Sequence, residues 1–454
     1  MTFLHRSCLL GLTAALIAAP AFAAEVQTIE RAMAQAYQTN PGLQAERAKL
    51  RAVDEQVSQA LSGWRPSVDA FGGVGKTYSS TGSNSGKTST SRNVGAQVVQ
   101  PVFQGFRTVA AVDAAEAQVK AQRALLQSAE QQLLLDAGTA YLDVVAAQAV
   151  LDLTRGNEEV LRRQLDATRD RYSVGEVTQT DVSQAESRAE RTTAQRIQAE
   201  GDLANRRATY ARLIGDMPGT LEPPNLVLND LKDMDEVVRR AETRNPGVLA
   251  AQYSQDAAKG NITAARGSLL PEVNLVGSAS RGWESSAALP DRQDSAQIMA
   301  EVTVPLYRSG ADYSRTRAAQ QTATQLRLQL EDTRRRAREA AINAWQALTT
   351  TQAAIKSDKA GVEAAELALR GVREESNVGT RTVLDVLNAE QELLDAKVTL
   401  VRARRDEAAA ILQTKAAVGE LTAASLRLAV DVYDPQKHYD SVRDTWAGFG
   451  DSAD

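Results

Sequence analysis

The chain has 454 residues, a formal net charge of −5, one cysteine, two histidines and only 4% aromatic residues. So few cysteine and histidine side chains exclude most zinc sites and histidine-based catalytic triads. Hydrophobic residues make up 43% of the chain, yet mean hydropathy is −0.33, because much of the apolar content is alanine. This composition favours long packed helices over a bulky globular core. We therefore expect a protein that is not an enzyme and that uses no metal or cofactor.

Residues 1–23 have the pattern of a secretory signal peptide. Arg6 precedes an apolar run from Leu9 to Ala19, and Ala21-Phe22-Ala23 supplies the small residues of a cleavage site. We expect export without a lipid anchor, because Cys8 lies before the apolar run instead of after it. Beyond this leader we find no run of about 18 apolar residues, so any membrane crossing is expected to use strands.

The rest of the chain is an internal duplication. Asn40-Pro41-Gly42 recurs as Asn245-Pro246-Gly247, about 205 residues later. The segment Val174-Gly175 recurs at nearly the same offset as Val378-Gly379. Several landmarks held in one register indicate two structurally equivalent halves, each with the same order of short helices, strands and long helices.

The landmarks predict a division of the chain into a leader, two repeats, a joint and a tail. The predicted segments are a signal peptide, 1–23; a first repeat, 24–215, with strands about 66–78 and 92–103 and long helices about 107–172 and 181–214; a Pro-rich joint, 216–229; a second repeat, 230–420, with strands about 271–283 and 296–307 and long helices about 309–376 and 384–418; and a C-terminal equatorial tail, 421–454.

The four predicted strands alternate between apolar and polar or very small residues. In the first strand Val68, Ala70 and Val74 share one face, and in the third Val273 and Leu275 do the same. This pattern suits a half-exposed sheet on a soluble domain as well as a membrane barrel. If the strands do cross a membrane, four are too few to close a barrel, and several chains must contribute to one.

The long helices contain no proline, and each is expected to extend about 100 Å. Apolar residues recur at sevens in the last helix, for example Leu387, Leu394 and Val401, but Gln391 and Arg405 interrupt the pattern. Such an imperfect seam is typical of a helix packed on more than one side. On the helix pattern alone, an ordinary helical bundle therefore remains an alternative interpretation.

Taken together, these features resemble the TolC family of outer-membrane export channels. The resemblance is carried by the two Asn-Pro-Gly helix starts, the two proline-opened strand pairs, and the segments from Tyr172 to Val182 and from Val378 to Leu387. It implies an α+β membrane protein, internally duplicated, in which long α-helical hairpins form a periplasmic α-barrel. It also implies that each chain contributes four strands to a trimeric twelve-stranded β-barrel.

The resemblance further implies an exit duct for type I protein secretion, tripartite multidrug efflux or both. The expected location is the outer membrane of a Gram-negative bacterium, with an extension into the periplasm. The expected partners are two further copies of the chain, a periplasmic adaptor (membrane fusion protein), an inner-membrane ABC or RND-type transporter and outer-membrane lipid, with no nucleic acid. The alternative function is a soluble periplasmic coiled-coil adaptor, which would leave the duplicated strands without a use.

Two groups of residues are candidates for function, both at the turns between long helices. The resemblance implies a periplasmic gate in which Thr180 and Asp181 hold Arg381, while Asp385 forms an acidic ring. Asn388 and Ser376 depart from the family pattern, which predicts a weaker gate. The residues of this gate are Thr180, Asp181, Arg381, Asp385 and Asn388, and the expected adaptor-docking tips are Val174, Gly175, Val378 and Gly379.

The residues themselves favour a structural role for the same carboxylates. Thr178 with Asp181 and Thr382 with Asp385 have the spacing of capping boxes, in which the threonine caps a helix start and the acid reaches back to it. Capping alone is a sufficient reason for both acids, so it stands beside the gate as an alternative.

Overall fold

The computed structural model describes residues 27–80, 86–226, 228, 231, 233–284 and 292–449. The predicted signal peptide, residues 1–23, lies outside the described residues, as do parts of the two predicted loops between paired strands.

Each repeat contains two short helices, two strands and two long helices in that order. The first repeat consists of α1 Ile29–Thr39, α2 Pro41–Leu61, β1 Ser67–Ser79, β2 Lys87–Gln104, α3 Arg107–Ser173 and α4 Gln179–Ile214. The second consists of α5 Met234–Arg244, α6 Pro246–Gly267, β3 Glu272–Glu284, β4 Gln293–Thr303, α7 Ala311–Asn377 and α8 Val383–Ala417. A ninth helix, α9 Pro435–Val442, follows in the tail.

An asparagine ties the start of each repeat to its end. The side chain of Asn40 accepts a hydrogen bond from the backbone N–H of Gly42 at 2.9 Å and donates one to the carbonyl of Leu213 at 3.1 Å. Asn245 likewise accepts from Gly247 at 2.9 Å and donates to Ala417 at 3.2 Å. The proline that follows each asparagine occupies the first helical position, where its missing N–H costs nothing. The same local chemistry therefore closes both halves.

The strands form one antiparallel sheet in the order β1-β2-β3-β4. The largest differences from the sequence prediction are in two strands: β2 begins at 87 instead of about 92, and β4 runs from 293 to 303 instead of from about 296 to 307. β2 begins at Lys87 because pairing with β1 continues to Ser79, and β4 ends at Thr303, short of residue 307, because Pro305 has no N–H for the sheet. Both faces of the sheet are open to the surroundings in the single chain, and Val74 and Ile298 are among its most exposed apolar side chains.

The long helices α3 and α7 have 67 residues each, which corresponds to about 100 Å. Each runs antiparallel to the helix that follows it, so that α3 with α4 and α7 with α8 form two long hairpins. One finding differs from the sequence expectation: α3 contains an 18-residue stretch with a mean hydropathy of 1.3. Within the structure 44% of this stretch is buried.

The largest apolar core lies where α1, α3, α4 and the end of α8 meet. Tyr141 is its largest fully buried side chain, together with Tyr210. The hydroxyl oxygen of Tyr141 lies 2.6 Å from the carbonyl oxygen of Gln27 and 2.7 Å from that of Glu222, so the two carbonyls share its single O–H. These bonds anchor the start of the first repeat and the Pro-rich joint to the same helix, and burial raises the pKa of Tyr141 to about 12.

The C-terminal tail crosses the outside of α2 and α3. His438 Nδ1 lies 3.1 Å from Oδ2 of Asp54, which is fully buried in α2. Farther along, the carbonyl of Thr445 accepts from Arg65 Nη1 at 2.6 Å, and the Arg65 guanidinium lies 5.1 Å from the ring of Trp446. The tail is thus held against α2 and the residues that follow it by polar contacts and a cation–π contact.

Candidate functional site at the hairpin tips

The turn after α3 is built on a glycine with a left-handed backbone. Gly175 has a φ of 83°, which brings its N–H to the carbonyl of Tyr172 at 3.0 Å. The next N–H, of Glu176, reaches the carbonyl of Arg171 at 2.9 Å. This pair of bonds is a Schellman motif, which satisfies the last carbonyls of a helix and reverses the chain sharply.

The turn after α7 repeats this geometry. Gly379 has a φ of 81°, its N–H reaches the carbonyl of Ser376 at 3.1 Å, and the N–H of Thr380 reaches Glu375 at 2.9 Å. The residue before each glycine is an exposed valine: Val174 is 71% exposed and Val378 is 75% exposed. Each tip therefore presents an apolar side chain on a turn that is rigidly defined by its own backbone bonds.

Capping boxes start the returning helices, as the sequence predicted. Thr178 Oγ1 accepts from the backbone N–H of Asp181 at 3.2 Å, and Asp181 Oδ2 accepts from the N–H of Thr178 at 2.9 Å. Thr382 and Asp385 make the same two bonds at 3.2 and 3.0 Å. The Thr382 N–H, its hydroxyl and the charge of Arg381 lower the pKa of Asp385 below its ordinary value. At neutral pH Asp385 is therefore an anion at the tip.

Arg381 pairs within its own hairpin. Its Nε lies 2.8 Å from Oε2 of Glu375, and this contact raises the pKa of the Arg381 guanidinium. Within one protomer, the described contacts do not join Arg381 to Thr180 or to Asp181. The carboxylate of Asp181 instead accepts a hydrogen bond from the hydroxyl of Thr178. The guanidinium is about half exposed, so it retains N–H groups that can reach a further acceptor.

Asn388 connects the two hairpins. Its Oδ1 accepts a hydrogen bond of 3.0 Å from Arg188 Nη2 of α4. Beside this bond, an apolar cluster joins α3, α4 and α8 and consists of Leu161, Leu165, Ala185, Ala189, Val383 and Leu387. Polar and apolar contacts together hold the two tips side by side within one chain.

Above the tips, buried carboxylates pair the helices. Nε of Arg196 in α4 lies 2.7 Å from Oε2 of Glu158 in α3. Glu390 of α8 forms an ion pair with Arg373 of α7. Asp143 of α3 is the carboxylate that links both hairpins, since it pairs with Arg206 of α4 at 2.8 Å and with Arg405 of α8 at 2.6 Å. Breaking such a partly buried pair leaves an uncompensated charge, so these positions resist helix sliding.

Sequence reasoning did not identify Arg188, Asp143 or Arg405. A capping box is a local pattern and can be read from four consecutive residues, whereas the contact of Arg188 with Asn388 joins residues 200 positions apart. The interruption of the heptad row by Arg405 was the one available signal, because a charged residue in a helix seam needs a partner.

Comparisons with known proteins give consistent results over nearly the whole chain. Residues 32–216 and 237–420 match the family model described as "Outer membrane efflux protein". The chain is 35% identical to the outer membrane efflux protein BepC of Brucella suis biovar 1 (strain 1330) over 432 residues, which are 94% of this chain and 92% of BepC. It is 27% identical to the outer membrane protein TolC of Escherichia coli (strain K12) over 421 residues, 88% of this chain and 84% of TolC.

A solved structure shows the same fold. The CmeC outer membrane channel of Campylobacter jejuni superposes with a TM-score of 0.77 at 16% identity, covering 92% of this chain and 89% of CmeC. The two matched segments of the family model fall one in each repeat, in agreement with an internal duplication.

Proposed function

The chain belongs to the outer membrane efflux protein family, and we propose that three copies of it form one exit duct that runs from the periplasm through the outer membrane. The protein is an outer-membrane export channel of an efflux or type I secretion system and not an enzyme. It is a component of such a system together with transport partners in the cell envelope.

The observation that carries the proposed trimer is the pair of open edges of the sheet. β1 and β4 each have one neighbouring strand among the described residues, so each leaves one row of backbone groups unpaired. In lipid these groups have no water to bond, and each would cost several kcal/mol. A second and third copy, joined edge to edge, would close a barrel and satisfy every row.

The proposed gate lies at the hairpin tips. In a threefold ring, Asp385 would present three carboxylates to the lumen and Arg381 would be available to a neighbouring chain. The bond between Arg188 and Asn388 would hold α8 against α4 and keep the entrance narrow. Opening of the entrance would require α7 and α8 to move away from α3 and α4. The ion pairs of Asp143 with Arg206 and Arg405, farther from the tips, would stay in place during this movement.

The proposed docking points are the exposed Val174 and Val378 on their glycine turns. Both are small apolar surfaces at the far end of the helices, where a periplasmic adaptor would meet the duct. The energy for export must come from an inner-membrane ABC or RND-type transporter, because a tube of paired helices has no chemical step of its own.

The test of the gate is single-channel conductance of the purified protein in a planar bilayer. Arg381→Ser is compared with Arg171→Ser, which removes an equal charge from the other tip, where Arg171 pairs with Glu176. Asp385→Asn is compared with Asp181→Asn, which removes the same charge from the matching capping box. We expect conductance to rise in Arg381→Ser but not in Arg171→Ser, and block by multivalent cations to weaken in Asp385→Asn but not in Asp181→Asn.

Two outcomes would contradict the proposal. If wild-type channels are already wide open, the proposed duct is retained and the proposed gate is wrong. A soluble monomer that inserts no channel would mean that the strands do not share a barrel, and the adaptor alternative would replace the duct.

A further inference from the structure

The two faces of the sheet differ in polarity, and the register defines which residues share a face. Opposite residues in antiparallel strands lie on the same side, so Val68, Val98, Gly277 and Ile298 form one row across all four strands. The other face is mostly polar, although it includes Phe71 and the row Val99, Val276 and Met299; on it the hydroxyls of Ser280 and Ser295 lie 2.8 Å apart. The apolar face is the one that suits lipid, and the polar face suits an aqueous lumen.

The apolar face ends at a defined height. Along β3 its members run from Val273 to Ala279, and the next residue on this face is Arg281. The distance from Val273 to Arg281 is about 27 Å along the strand, or about 20 Å perpendicular to the membrane at a typical tilt. This is close to the thickness of the apolar band in outer-membrane barrels, so Arg281 lies at the edge of the hydrocarbon region.

A group of charged residues occupies this edge, and we call it the basic collar. Its members are Arg281 and Asp294 in one row, Arg92 of β2 one row farther toward the loops, Lys76 of β1 two rows farther, and Arg292 just before β4. The collar contains four cationic side chains and one carboxylate, so the collar of each chain has a net charge of +3.

Two aromatic residues accompany the collar on the same face. Trp283 lies directly opposite Arg92, and Tyr78 lies one row beyond Lys76. Tryptophan and tyrosine are enriched at the membrane surface, where their rings sit at headgroup level. Their position supports the placement of the collar at that level.

The carboxylate of the collar organises the arginines on either side of it. Arg281 donates from Nε to Oδ1 of Asp294 at 2.6 Å and from Nη2 to Oδ2 at 3.1 Å, and Arg292 Nη2 donates to Oδ2 at 2.5 Å. Both guanidiniums are about half exposed, and each has N–H donors beyond those used for Asp294. The pair is therefore held in place with donors directed to the surroundings.

The collar is at the loop end of the strands, opposite to the helices. The helices extend into the periplasm, so this end of the sheet faces the outer leaflet. We propose that the basic collar binds the phosphate groups of the phosphorylated glycolipid, lipid A, that makes up the outer leaflet. Guanidinium groups bind phosphate oxygens in pairs, and the adjacent apolar rows accept the acyl chains of the same molecule. Three chains would bind such lipids around the whole barrel.

The test is lipid binding to purified full-length trimers, counted by native mass spectrometry in the presence of EDTA, so that no divalent cation bridges the partners. The variant is Lys76→Gln/Arg92→Gln, which leaves both ion pairs of Asp294 intact and so spares the fold. The matched control is Arg334→Gln/Arg335→Gln, which removes two exposed arginines from α7, far from the membrane. Lipid A, phosphatidylglycerol and inorganic phosphate are offered separately.

We expect the collar variant to bind lipid A on the order of tenfold more weakly, and the control to bind it like the wild type. Unchanged affinity in the collar variant would overturn the proposal. Equally tight binding of phosphatidylglycerol would show general attraction of anionic lipid, and displacement by inorganic phosphate would show a site for free phosphate; either result would also overturn it. Channel conductance of the same variant is expected to be unchanged, so failure of the duct itself would be seen separately.

Discussion

The threonines of the capping boxes offer a comparison between equivalent residues. Thr178→Ala and Thr382→Ala each remove the side-chain acceptor of the first turn, and each is expected to destabilise its helix start by about 1 kcal/mol. Hydrogen exchange of the first turn of α4 and α8 measures this directly. If capping is the whole role of these boxes, the two variants change channel conductance equally; if Asp385 also forms the gate, only Thr382→Ala changes it.

The pH dependence of the second box follows from the lowered pKa of Asp385. A carboxylate with a lower pKa in the folded state contributes stability above its ordinary pKa of 3.8, and this contribution is lost as pH falls through the lower folded value. We therefore expect the first turn of α8 to stay protected from hydrogen exchange at pH 5 and to loosen only in stronger acid. In Asp385→Asn the protection should not vary with pH in that range.

The contact between His438 and Asp54 holds the C-terminal tail against α2. Burial raises the pKa of Asp54, while His438 and Arg123 oppose that rise and the charge of Glu55 adds to it. His438→Ala leaves a buried carboxylate without its partner, which costs about 1–3 kcal/mol at neutral pH. We expect faster hydrogen exchange of residues 434–446.

Acidification should restore part of this protection. A carboxylate with a raised folded pKa contributes stability that is complete below its ordinary value of 3.8 and is lost as pH rises through the folded value. Removing His438 takes away the main interaction that opposes the rise, so the tail of His438→Ala should be better held near pH 4 than at pH 7. Equal exchange at both values would show that Asp54 does not hold the tail.

Replacement of glycine by alanine is expected to lower the stability of the protein at the turns and to raise it inside a helix. Gly175 and Gly379 have positive φ and open space around them, so alanine there costs only backbone strain, about 1–2 kcal/mol. Gly361 and Gly371 lie inside α7, also in open space, and alanine there is expected to stabilise by about 0.4–1 kcal/mol. Thermal unfolding of the four variants checks the difference in sign.

Local patterns predicted the elements of this fold, and contacts between distant elements were not accessible to them. The Asn-Pro pairs give the starts of α2 and α6, and alternation gives the strands, because both are properties of neighbouring residues. The start of β2 depends on pairing with β1, and the bond of Arg188 to Asn388 depends on which helix faces meet. The duplicated channel fold was predicted correctly, whereas the residues of the gate remain a proposal.

At the scale of the whole molecule, the open edges of the sheet predict that the folded chain is not stable alone in a membrane. Light scattering in detergent, with the detergent mass subtracted, should give three chains for each particle. Dissociation by dilution or denaturant should remove the strand signal from circular dichroism before the helix signal, since α3 and α7 bond their own backbones. A stable detergent-bound monomer that keeps its strand signal would contradict this.

The equal length of the two hairpins has a consequence for how such a protein can change. α3 and α7 have 67 residues each, and α4 and α8 have 36 and 35. Lengthening both helices of one hairpin by two turns moves its tip by about 10 Å, so a change confined to one repeat would leave three tips of six out of line. Insertions and deletions must therefore arise in both halves together, in steps of about seven residues that keep the same faces inward. The two halves of a duplicated gene can therefore diverge in sequence, but the helices of one hairpin must stay as long as those of the other.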